Sequence, residues 1–179
     1  AGCLSVACFA EAATVALLPL IDKSNFEDHE SANATFMAAA ISTINTTEGF
    51  TLVDSESFAG VLDKNLEPGK LPNEQALKNI AAQSGVDVII ATQLDVLDTS
   101  YRSSMEGNFL RVDVRGLCVS YNALTGKYKK GRIFEDTERD SNIYARSSME
   151  LEYWRDAVRH EINAILGNKK LKLERPTMG

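Results

Sequence analysis

The stretch Val86–Leu97, VDVIIATQLDVL, decides the fold. Its first half is a continuous apolar run and its second half alternates apolar with polar residues. A strand with that pattern runs from the doubly covered centre of a sheet towards a solvated end. Just before it, Asn73 is placed to cap a helix that turns Leu77, Ile80 and Ala81 inward. Gly85 closes that helix in the left-handed conformation that glycine adopts most easily.

Working towards the N-terminus, Leu66–Pro72 (LEPGKLP) holds two prolines and a glycine and is a loop. Before it, Asp54 or Ser55 caps a shorter helix whose inner face is Phe58, Val61 and Leu62. Phe50–Val53, after Gly49, reads as a short strand. Phe36, Met37, Ala40, Ile41 and Ile44 form one stripe of a helix that begins near Ser31. Ile21–Glu30 is a polar loop, and Thr14–Leu20 (TVALLPL) is a strand buried on both faces that ends at Pro19.

Towards the C-terminus, Asp98–Asn108 (DTSYRSSMEGN) reads as a loop linking two strands, and Asn108–Tyr121 as a long strand. Leu110, Val112 and Val114 alternate with Arg111, Asp113 and Arg115. The apolar phase then passes to Leu117, Val119 and Tyr121, and a bulge at Gly116 would exchange the faces in that way. A turn at Leu124–Lys127 returns the chain antiparallel over Tyr128–Glu138. A last helix carries Leu151, Trp154, Val158, Ile162 and Ile165 and stops near Gly167, with Lys169 and Lys170 at its negative end.

The expected order is therefore β-α-β-α-α-β-β-β-α. It describes an α/β fold: a single three-layer domain over residues 13–167 with helices on both faces. The sheet is mixed, with parallel first strands and an antiparallel C-terminal hairpin. Residues 168–179 form a charged tail, and no internal repeat or second domain is visible.

The 179 residues are 44% hydrophobic and 25% charged, enough apolar material for one packed core. A net charge of −6 argues against nucleic acid as a partner and against an acidic membrane surface. Ala1–Ala10 is small and apolar and leads into Ala10-Glu11-Ala12, the pattern of an export signal cleaved after Ala12. Two other readings stand beside it. Ala1-Gly2-Cys3 matches the end of a lipobox with Cys3 acylated, or the run belongs to the fold. No later segment has the ~20 apolar residues needed to cross a bilayer as a helix. If Cys3 and Cys8 leave with the signal, Cys118 is a lone thiol in a strand, read as buried and structural.

The chemical motifs are meagre. Neither a phosphate-binding glycine loop nor a G-x-S-x-G elbow occurs. His29 and His160, the only histidines, are read as solvated, His29 in the polar loop and His160 on the outer side of the last helix. Asp22, Glu27, Asp28 and Glu30 cluster in the first loop without the spacing of a calcium site. No catalytic residue, metal site or cofactor is expected. Tyr101 and Arg102 are residue types that anchor interfaces.

Four segments together resemble a fold shared by several envelope proteins. They are TVALLPLIDKSN, GFTLVDSESFAGVLDKN, QSGVDVIIATQLDVLD and LRVDVRGLCVSYNALTGKYKKG. The fold is that of the curli-secretion lipoprotein, of the outer-membrane lipoproteins that activate penicillin-binding proteins, and of the TolB N-terminal domain. The resemblance covers most of residues 14–167 and brings no catalytic residue with it. The chain departs from the secretion channel in lacking an insertion for membrane-spanning hairpins, and from the activators in lacking a long linker.

The expectation is a non-enzymatic, extracytoplasmic accessory domain that binds another cell-envelope protein, periplasmic or lipid-anchored through Cys3. Its contact residues would be loop-borne: Asp22, Lys23 and Asn25, with Tyr101 and Arg102. The alternative is a periplasmic small-ligand-binding protein with its cleft at the strand ends. A third reading is a hydrolase that gathers the carboxylates of Asp95, Asp113 and Glu135.

Overall fold

The computed structural model describes residues 12–140 and 149–167. The expected export signal, Cys3, Cys8, Lys169, Lys170 and the charged tail lie outside the described residues.

β1 (Ala13–Leu17) is followed by a two-residue β2 (Ile21–Asp22), α1 (His29–Thr46) and β3 (Phe50–Val53). A 3-10 turn over Ser55–Phe58 leads into α2 (Ala59–Asn65), then α3 (Glu74–Ser84). Three long elements follow: β4 (Val88–Ser104), β5 (Gly107–Asn122) and β6 (Lys127–Asp140), and then α4 (Met149–Ile165). The sheet order is β3-β1-β4-β5-β6, with β2 also paired to β4. β3, β1 and β4 are parallel, while β4-β5 and β5-β6 are antiparallel, so the mixed α/β sheet is as the sequence predicts.

Each helix starts and stops where its termini find hydrogen-bond partners. The Asn73 side chain accepts from Ala76 N–H at 2.8 Å, and Gly85 ends α3 at φ +75°. Asp28 caps α1 by accepting from Ser31 N–H, so that helix begins at His29 and not at Ser31. Pro19 follows β1 as expected, and the expected loop is shortened to residues 23–28. The chain rejoins the sheet at once after the proline, and Ile21 and Asp22 pair with Gln93 and Leu94.

The helices divide between the two faces and make two cores. On one face α1 and α4 cover Val15, Leu17, Val88, Ile90, Leu94, Leu97, Leu110, Val112, Val114 and Cys118. Trp154 is 0% exposed there. Its ring stacks on Phe36 with centroids 6.1 Å apart, and its indole N–H donates to the Ala32 carbonyl at 2.9 Å. On the other face α2 and α3 cover Ala16, Leu18, Ile89, Ala91 and Val119 with Leu62, Leu77, Ile80 and Ala81. Burial of both strand faces is what makes Val88–Ala91 a continuous apolar run.

The bulge is displaced from its expected strand. β5 pairs with β6 without interruption, and Leu110, Val112, Val114 and Cys118 hold one phase throughout. The register slips in β4 instead, between Leu94 and Val96, so Asp95 is the extra residue. There the phase changes, and Leu94 and Leu97 reach the same core. The apparent flip after Gly116 has another cause: Val119 and Tyr121 meet the second core, whereas no helix among the described residues packs on that face before Gly116. Gly116 lies opposite the bulge, where a Cβ would stand 2.4 Å from the Gln93 carbonyl oxygen.

Candidate functional site

The segment expected to be a loop, Asp98–Asn108, is the far end of a β-ribbon. β4 continues through Ser104, turns over two residues and returns as β5 from Gly107. Thr99 pairs with Val112, Tyr101 with Leu110 and Ser103 with Asn108. Tyr101 and Arg102 are therefore strand residues, which corrects their loop placement. Tyr101 is 73% exposed and Met105, at the turn, is fully exposed.

Register sorts the ribbon into two faces. On the face shared with α4, Leu110, Val112 and Val114 are buried, and the Thr99 hydroxyl donates to Glu150 at 2.6 Å. On the opposite face Asp98, Asp113 and Asp136 stand in one row across the three strands. Arginines interleave with them. The Arg111 guanidinium bridges to Asp136 through Nε at 2.7 Å and Nη2, and Arg115 Nε donates to Asp113 at 3.0 Å. Arg115 also lies over the Phe134 ring, 5.9 Å from its centroid. The hydrogen bonds from Arg111 hold the Asp136 carboxyl below its ordinary value, ahead of the small opposing effect of burial.

Asp22, Lys23 and Asn25 form a separate patch. Asp22 lies in β2 beside Leu94, and Lys23 donates its backbone N–H to the Leu94 carbonyl. Seven strand residues, or roughly 20 Å, separate Leu94 from Tyr101, so the two expected contact groups do not meet. Asp22 is an organising residue: it accepts from the Ser24 amide and hydroxyl at 2.9 and 2.6 Å and meets His29 Nδ1 at 2.7 Å. Burial pushes its carboxyl up, but the bonds from the Ser24 hydroxyl, His29 and the Ser24 amide outweigh that and leave it lowered. His29 is thus the first residue of α1, tied to Asp22, and not a loop residue. Lys23 and Asn25 are exposed.

The carboxylates of the hydrolase reading are not gathered. Asp113 faces the arginine row, while Glu135 pairs with Val114 and lies on the opposite face. Asp95 is held on the bulge by Gln93 Nε2 at 2.6 Å. Cys118 is 1% exposed, and burial pushes its thiol up to about 12, with the Thr92 hydroxyl opposing only weakly. At that value it stays protonated and unreactive. Among the described residues, no group of three or more metal-ligating side chains occurs.

A cavity of about 400 Å³ lies between α4 and strands β5 and β6, lined by Cys118, Ser120, Lys129, Gly131, Glu161 and Ile165. Burial raises the Glu161 carboxyl there, and nearby His160 opposes it weakly. A smaller cavity of about 180 Å³ adjoins Phe50 and Val88, the first residues of β3 and β4. That is the opposite end of the parallel strands from the cleft expected by the small-ligand reading.

These features define a mixed-sheet α/β domain with a projecting three-stranded ribbon. No family model and no curated protein matches the chain. Among solved structures it is similar to the lipoprotein GNA1162 from Neisseria meningitidis, with 15% identity and a TM-score of 0.48, covering 85% of this chain and 99% of that one. It is similar to the PelC dodecamer from Paraburkholderia phytofirmans, at 9% identity and TM-score 0.45, covering 87% and 89%. The LpoB C-terminal domain from Escherichia coli stands at 13% and 0.39, covering 72% and 84%. At such identities and TM-scores these are likenesses of chain path alone. No helix among the described residues is long and apolar enough to cross a membrane.

Proposed function

We propose that the chain is a non-enzymatic, extracytoplasmic accessory domain that binds another cell-envelope protein through the end of its ribbon. The observation that carries this is the exposed ribbon end, where Tyr101 stands in solvent on a paired strand and Met105 on the turn beyond it. A large aromatic held out on a rigid strand contributes contact area at little entropic cost, as interface anchors do. Candidate catalytic groups are scattered: a protonated Cys118, His29 tied to Asp22, and carboxylates on opposite faces. The export-signal pattern expected over residues 1–12 is what supports the proposed location.

A crosslinking pull-down from a cell-envelope extract, with the full chain as bait, tests the reading. One envelope protein is expected to be recovered reproducibly and to be lost with Tyr101→Ala and Arg102→Ala. Recovery unchanged by both variants would move the contact surface away from the ribbon end. An empty pull-down would favour the small-ligand reading, which the cavity beside Glu161 supports. A thermal-shift panel would then be decisive, since a ligand at a hundredfold its Kd stabilises by about 2.7 kcal/mol.

A further inference from the structure

β6 is the outermost strand of the sheet, 14 residues long and paired on one side only by β5, whereas the other edge, β3, has four residues. Among the described residues no backbone group pairs with its free edge. Long open edges are usually blunted by charge. Here the charge changes sign halfway along. Lys127, Lys129, Lys130 and Arg132 occupy the first half, and Glu135, Asp136, Glu138 and Asp140 the second, where Arg139 is the one cation among them. Between the halves stands Phe134, 63% exposed.

Such a pattern repels a parallel copy in register and attracts an antiparallel one. Paired residues must project to the same face, so a two-fold axis relating two β6 edges has to pass through a residue position. An axis at Phe134 sets Arg132 of one copy opposite Asp136 of the other, twice over by symmetry. It sets Phe134 against its own mate and Lys130 at the register position of Glu138. Lys130, Arg132, Phe134 and Asp136 are all exposed and alternate along the strand, so they share the face that α2 and α3 leave open. Asp136 already accepts from Arg111, and its two oxygens have lone pairs to spare for a second guanidinium.

We infer that β6 is a self-complementary edge through which two copies of this chain join their sheets antiparallel about Phe134. The contact rests on the edge strand and is independent of the ribbon-end partner reading.

Sedimentation analysis of the full chain tests it, with circular dichroism to confirm folding. The wild type is expected to be a dimer. Arg132→Glu and Asp136→Lys each place like charges across the axis and are expected to give folded monomers. Mixed one to one, the two variants face each other with opposite charges at both positions, and the dimer mass is expected to return. A wild-type monomer at the highest soluble concentration would overturn the inference. So would dimers that persist in both single variants, or a mixture that stays monomeric.

Discussion

Residues 88–91 and 96–104 belong to one strand but to different surroundings. The first segment has helices above and below, and every side chain in it is buried. Past the Asp95 bulge one face keeps α4, and beyond Thr99 the β4 side chains are exposed although Leu110 across from Tyr101 is still buried. The uncovered face is held by the Arg111–Asp136 and Arg115–Asp113 pairs, exposed contacts that contribute little to stability. One ribbon face is anchored to α4 through Leu110, Val112 and Val114, while the other is held by backbone pairing and exposed ion pairs. Stability is concentrated in the doubly covered half, and the surface free to engage a partner in the other.

The comparison breaks most visibly at Trp154. Trp154→Ala removes the stack on Phe36 and the bond to Ala32 and leaves a cavity between α1 and α4. A loss of about 3–5 kcal/mol is expected in urea unfolding, and a much smaller loss would place the stability elsewhere. Gly116→Ala probes the boundary between the two regions. Its new methyl meets the Gln93 backbone opposite the bulge, so a cost of about 1–3 kcal/mol is expected. Hydrogen exchange should then rise on both sides of Asp95. At the ribbon end Tyr101→Ala is expected to change stability by less than about 0.5 kcal/mol. If its midpoint fell as far as that of the Gly116 variant, the ribbon end would belong to the core.

Much of the fold was legible in single residues. Asn73 and Gly85 bounded α3 because caps are local chemistry, and Leu77, Ile80 and Ala81 marked its inner face by period alone. Trp154, Val158 and Ile162 did the same for α4. The ribbon was not legible. Thr99, Ser100, Ser103 and Ser104 lack the apolar alternation of a half-buried strand, and backbone pairing by itself leaves no periodic mark on polar side chains. β2 escaped for a related reason: two residues after a proline show no period. Tyr101 and Arg102 stood out in the sequence by residue type alone. That they stand roughly 20 Å along the strand from the Asp22 patch was not legible there.

By itself the sequence determined the order of the main elements, the limits of α3 and the class of sheet, because capping, turn chemistry and periodicity act over a few residues. The tertiary structure alone decided which strand bulges, which face of β5 is covered and where Asp113 and Glu135 point. It also decided that, among the described residues, β6 is the last strand of the sheet. Those outcomes depend on which elements lie across from one another, and neighbours far apart in the chain leave no local signal of their meeting.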